Sequence, residues 1–204
     1  MVTIKVGANK VEFNAPKNSL CAASPFFRSA FTHDWAEKQQ GMLHLAEDKP
    51  QTFSILLQWI LSGSIVLRNE PTAATKRKDE WFSLLDLYVL ADRLGMTSLK
   101  NDVMDIVNVD DADHNFIPNG AFCKEIFVRT PDGSKFVEWA LDRWVYFAAG
   151  FYFRADAIEK CVPFFAIVMR RFKDFGGHPI RKARRLRQEK CFYHEHDAET
   201  PICR

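Results

Sequence analysis

The chain has 204 residues, is 47% hydrophobic with 18 phenylalanines, and carries a net charge of +2. That length predicts one or two globular domains, and this apolar content excludes a mainly disordered chain. The longest apolar runs, 145–153 and 162–169, fall well short of the roughly 20 residues of a spanning helix, and residues 1–5 lack a secretory leader's basic head and apolar stretch, so a soluble, intracellular protein without membrane association is expected, in the cytoplasm or the nucleus.

Residues 2–6 alternate in β-branched fashion, 7–10 form a turn signal, and 11–13 alternate again; together they predict a β-hairpin. Helical turns follow over 16–21 and 25–31. Ser24-Pro25 opens the second of them, because a serine oxygen can accept from free helix N–H groups and proline fits the first turn. The run Leu20, Cys21, Phe26, Phe27 and Phe31 is expected to lie at the centre of the first core. Trp35 and Glu37 fall in a polar loop, and residues 42–45 read as a short strand.

Asp48 and Gln51 have the spacing of a capping box. Phe53, Leu56, Leu57 and Ile60 mark one helix face, and Ser62-Gly63 ends it. Residues 65–67 suit another strand, and 68–80 read as an exposed polar loop. Trp81, Leu84, Leu85, Tyr88 and Ala91 resume helical spacing up to Gly95, a C-terminal stop. Leu99, Val103 and Ile106 carry the next helix, and a polar break is expected at 110–115. Beyond it, Phe122, Ile126 and Phe127 suit one helix. Ser134 is a candidate N-cap for an apolar face over 137–148. A helix over 156–172 should be kinked or split by Pro163.

The tail differs in charge. Residues 170–204 hold ten Lys/Arg and five Asp/Glu, against 18 and 21 in the remainder. Only the tail is basic, so nucleic-acid binding by the body of the chain is not expected. The five cysteines are an odd, scattered set, which argues against a disulfide framework.

In order, the hairpin, Leu20-Cys21…Ser24-Pro25-Phe26-Phe27, Phe31…Trp35…Glu37, Leu43-His44-Leu45, Asp48…Phe53…Leu56-Leu57…Trp59-Ile60…Gly63 and Leu87–Met96…Leu99-Lys100-Asn101…Val103 resemble the BTB/POZ domain. The string Cys191-Phe192-Tyr193-His194-Glu195-His196 resembles the end of fungal BTB proteins. The resemblance implies an α+β fold, a helical cluster flanked by a small mixed sheet, over 1–109. An all-helical extension over 116–173 and a polar basic tail over 174–204 would follow. It implies a non-catalytic protein–protein interaction module, an adaptor or scaffold that recruits substrates to a cullin-type ubiquitin ligase; the alternative is a nuclear, transcription-linked or nucleic-acid-associated protein using the basic tail. Partners would be proteins, a cullin or another BTB chain. The family's swapped dimers use a segment ahead of the hairpin; here the hairpin begins at Val2, so dimerisation by that route is not expected.

No catalytic constellation is apparent: there is no Gly-rich phosphate loop and no Gly-x-Ser-x-Gly elbow. Phe31, Trp35, Glu37 and Trp81 are the candidate partner-binding residues. Cys191, His194, His196 and Cys203 carry metal-ligand chemistry at a C-x2-H-x-H-x6-C spacing, which suits a structural zinc that would staple the tail; no other cofactor is expected. Arg181, Lys182, Arg184, Arg185 and Arg187 form a basic patch, either an import or anion-binding signal or a solvated face.

Overall fold

Strand β1 (Val2–Val6) pairs antiparallel with β2 (Val11–Ala15), with Val2 opposite Ala15 and Val6 opposite Val11. In this computed structural model, residues 1–32, 41–67, 76–114, 117–148, 153–174, 191–197 and 200 are described. Val2, Ile4 and Val6 are buried while Thr3 and Lys5 are partly exposed, as the period of two demands. The turn between the strands places Gly7 at φ +76°, a left-handed geometry that glycine adopts without a Cβ penalty. On its other side β1 pairs in parallel with β3 (Met42–Leu45), giving a mixed sheet of order β2-β1-β3.

Two compact units divide the chain, Met1–Val103 and Met104–Arg204. In the first, α1 (Lys17–Ala23) and α2 (Pro25–Thr32) meet at Ser24. The Ser24 hydroxyl accepts from the Phe27 N–H at 3.3 Å, the expected cap, and donates to the Leu94 carbonyl at 2.6 Å. Phe27 and Phe31 are fully buried with parallel rings 6.4 Å apart. Burying each contributes on the order of 2–3 kcal/mol. Phe26, expected inside with them, is 38% exposed: its neighbours Phe27, Ala30 and Phe31 define the inward stripe of α2, and position 26 falls beside it.

Helix α3 (Pro50–Ser62) ends at Gly63 in the left-handed region. Its start corrects the capping-box expectation. The N-cap is Lys49, without a side-chain cap bond, because the helix begins one residue later than the box requires. The Asp48 carboxylate is instead engaged by Arg93. Residues 64–67 are irregular rather than a strand, and in the described residues they join no sheet.

Helix α4 (Lys76–Arg93) takes in residues expected to be loop; residues 68–75 lie outside those described. It closes with Gly95 donating to Asp92 O at 3.1 Å and Met96 donating to Ala91 O at 2.8 Å, the paired bonds of a Schellman stop. Helix α5 (Thr97–His114) runs through the expected break at 110–114, where no glycine or proline stands to interrupt it. Buried Lys100 is held by Asp92 at 2.6 Å and lies over the Tyr88 ring.

The second unit carries α6 (Gly120–Arg129) and α7 (Lys135–Phe147), capped by Asn119 and Ser134 as their side chains accept from Phe122 N–H and Val137 N–H. Then come α8 (Ala155–Lys160) and α9 (Val162–Asp174), split at Cys161 just ahead of Pro163. Its core is aromatic: Phe136, Trp139, Trp144, Phe164 and Phe165 are each at most 2% exposed. The Trp144 indole donates to Pro118 O at 2.9 Å and meets Phe165 edge-on at 4.7 Å, so its polar edge is satisfied inside the core. Gly120 lies so close to α8 that a Cβ there would fall 2.2 Å from the Ala157 carbonyl oxygen.

Candidate functional site

The tail string docks as a structured segment of the second unit. The His194 N–H donates to the Cys191 carbonyl at 3.1 Å and closes a turn. Lys135, at the start of α7, donates to the Phe192 carbonyl at 3.1 Å. About two turns further along the same helix, Asp142 accepts from the Tyr193 hydroxyl at 3.0 Å. Tyr193 is 6% exposed and Asp142 5%. Burial, then the neighbouring Asp142 charge, raises the Tyr193 phenol far above its ordinary range, so the hydroxyl stays protonated and remains the donor. Asp142 also faces the Arg171 guanidinium at 3.5 Å, and Arg171 makes a two-pronged contact with Glu138 at 2.8 and 2.9 Å. The buried carboxylate is thus compensated by a cation and a hydroxyl donor, as burial of a charge requires.

His194 is 8% exposed, and its Nε2 lies 2.9 Å from Asp105 Oδ1 on α5. Cys191 is a half-buried free thiol, and His196 is exposed. Donor atoms of Cys191, His194 and His196 all lie within 4.8 Å of one another. Three of the four residues singled out for metal chemistry are therefore together; Cys203 lies outside the described residues, as do the basic-patch residues Arg181, Lys182, Arg184, Arg185 and Arg187. Asp105, Lys135 and Asp142, which position this segment, carry no local sequence signal, since they lie 50–90 positions away from what they hold.

The candidate partner residues fare differently. Phe31 is fully buried, as expected of the core run, and Trp81 is 3% exposed; this corrects the expectation that either contacts a partner, since both side chains pack inside the first unit. Trp35 and Glu37 lie outside the described residues. What the first unit does present is an open groove of about 680 Å³ between β2 and α3. Val11, Phe13, Ile55 and Val66 supply its apolar wall, with Gln51 and Gln58 among its polar lining. Val11 and Val66 are 42% and 46% exposed. None of the lining residues titrates near neutral pH, so the groove offers contact surface and no general acid or base.

Residues 2–109 match the family model of the BTB/POZ domain. The chain is a BTB/POZ protein. The α+β architecture, with its small mixed sheet and further C-terminal helices, is that of a BTB fold. Among solved structures it is similar to the BTB domain of human gigaxonin, at 22% sequence identity and a TM-score of 0.40, over 52% of this chain and 75% of that one. BTB domains are protein–protein interaction modules, and membership gives residues 2–109 that role. No helix among the described residues is long and apolar enough to cross a membrane.

Proposed function

We propose that this BTB protein is an adaptor that brings a substrate protein to a cullin-type ubiquitin ligase inside the cell. The observation that carries the reading is the division into two compact units, the first of them built on a BTB domain. An adaptor has to hold two proteins, and each unit has its own buried core and its own surface. The first contacts the cullin and the second takes the substrate. Both contacts are non-catalytic: apolar side chains leave water at the centre, and a polar rim sets register. The groove between β2 and α3, without titratable lining, is consistent with contact chemistry. The ending Cys191–His196 keeps the likeness to fungal BTB proteins.

The test is retention of a purified cullin N-terminal domain on the immobilised full chain at micromolar concentration. Retention, lost when free chain competes, supports the adaptor reading. Absence of retention across a panel of cullin N-terminal domains removes the ligase and leaves a scaffold.

A further inference from the structure

We propose that Cys191, His194 and His196 bind one zinc ion, and that Asp105 is the positioning residue that turns His194 toward it. The inference is independent of the adaptor reading. Three unlike requirements meet in this segment. First, the donors are one thiol and two imidazoles, a borderline-soft set that suits zinc and not magnesium or calcium. Second, the turn closed by the His194 N–H and the Cys191 carbonyl folds the chain back, so that donors spaced C-x2-H-x-H converge within 4.8 Å. His194 and His196 are two positions apart, the spacing that puts side chains of extended backbone on one face, and their ring centroids are 6.2 Å apart.

Third, a carboxylate that would orient a zinc-bound histidine is already in contact with His194. A zinc-bound histidine commonly donates its other ring N–H to a carboxylate, which fixes the tautomer and raises the basicity of the ligating nitrogen. His194 Nε2 already lies 2.9 Å from Asp105 Oδ1. A zinc ion held by Nδ1 would thus meet an imidazole whose Nε2 the carboxylate already orients. Tetrahedral zinc places two imidazole nitrogens about 3.3 Å apart and a thiolate sulfur about 3.6 Å from each. From separations of at most 4.8 Å the donors have to close by up to about 1.5 Å, and His196 is the exposed one of the three. Binding releases the Cys191 thiol proton to solvent as the sulfur–zinc bond forms.

The ion would add a clasp to a segment that hydrogen bonds from Lys135, Asp142 and Asp105 already hold. Because those bonds keep the segment docked without metal, the variants remain folded and the proposal stays open to refutation.

The experiment uses the untagged full-length chain, dialysed exhaustively, with metal content read by plasma mass spectrometry. Cobalt(II) is the spectroscopic probe. The wild type should retain one zinc per chain. Its cobalt form should show tetrahedral visible bands and a thiolate charge-transfer band. His196→Ala should lose the retained zinc, and Cys191→Ser should lose both the zinc and the charge-transfer band, with far-ultraviolet circular dichroism unchanged in each. Asp105→Asn should keep the spectrum but bind about 10- to 100-fold more weakly. A wild type that retains no zinc and gives no charge-transfer band overturns the site. So does zinc held equally by Cys191→Ser, or retention of copper with an intense blue band in place of zinc. Wild-type affinity in Asp105→Asn overturns the role given to Asp105.

Discussion

Replacing Ser24 with alanine should destabilise the first unit by about 2–4 kcal/mol. The hydroxyl has two tasks, and both end at buried atoms. It caps α2 by accepting from Phe27 N–H, and loss of a serine cap costs typically about 1 kcal/mol. It also donates to the Leu94 carbonyl at 2.6 Å from a side chain with no solvent exposure. Removing that donor leaves a buried acceptor short of a partner, for about 1–3 kcal/mol more. For a unit of this size the loss lowers the unfolding temperature by roughly 10–20 °C. The assay is urea unfolding followed by hydrogen exchange of peptides from residues 1–103, which separates this unit from the second. Ser24→Asp tells the two tasks apart. An aspartate caps as well as serine, but its carboxylate cannot donate and would face the Leu94 oxygen, so it should lose at least as much as alanine. A loss below about 0.5 kcal/mol in Ser24→Ala, the range of an ordinary surface change, would refute the reasoning. Recovery of wild-type stability in Ser24→Asp would refute the part assigned to Leu94.

Gly120→Ala places a methyl group 2.2 Å from the Ala157 carbonyl oxygen; α6 and α8 must part, and thermal melts should show the second unit weakened by about 1–3 kcal/mol. Arg171→Met removes the two-pronged contact with Glu138 and the cation facing buried Asp142. Since Arg171 and Glu138 are both about a third exposed, we discount the pair for screening and expect about 1–2 kcal/mol, together with faster hydrogen exchange at residues 191–197. Burial pushes the Cys123 thiol well above its ordinary value, against a smaller lowering by the Trp144 indole at 3.2 Å. A thiol raised in the folded state contributes stability that is complete below the unfolded pKa and declines as pH rises past about 8.5. Iodoacetamide should therefore modify half-buried Cys21 before Cys123 at pH 8, and Cys123→Ala should flatten the alkaline decline; early modification of Cys123 would contradict its placement.

Local chemistry was legible where the deciding atoms are neighbours in sequence. Ser24-Pro25, Gly63, Gly95, Ser134 and Pro163 each act through residues within about five positions, and each stands at the helix boundary the sequence implies. Distant partners override local signals where the two compete. Asp48 has capping-box spacing, but Arg93, 45 residues on, takes its carboxylate. The parallel pairing of β3 with β1 depends on a long-range meeting that alternation within a strand does not encode. Trp81 and Phe31 read first as core and second as interface anchors, and packing shows that both are buried. In the tail, residue types pointed to Cys191, His194 and His196, whereas Asp105 is joined to His194 across 89 residues and became visible only in the fold.

The adaptor account is tested most directly by calorimetric titration of the full chain with a cullin N-terminal domain. The account predicts one cullin domain per chain, a Kd in the micromolar range or tighter, and the negative heat-capacity change of apolar burial. Heats indistinguishable from dilution with every cullin N-terminal domain tried, using a chain whose first unit is shown folded by hydrogen exchange, would contradict it.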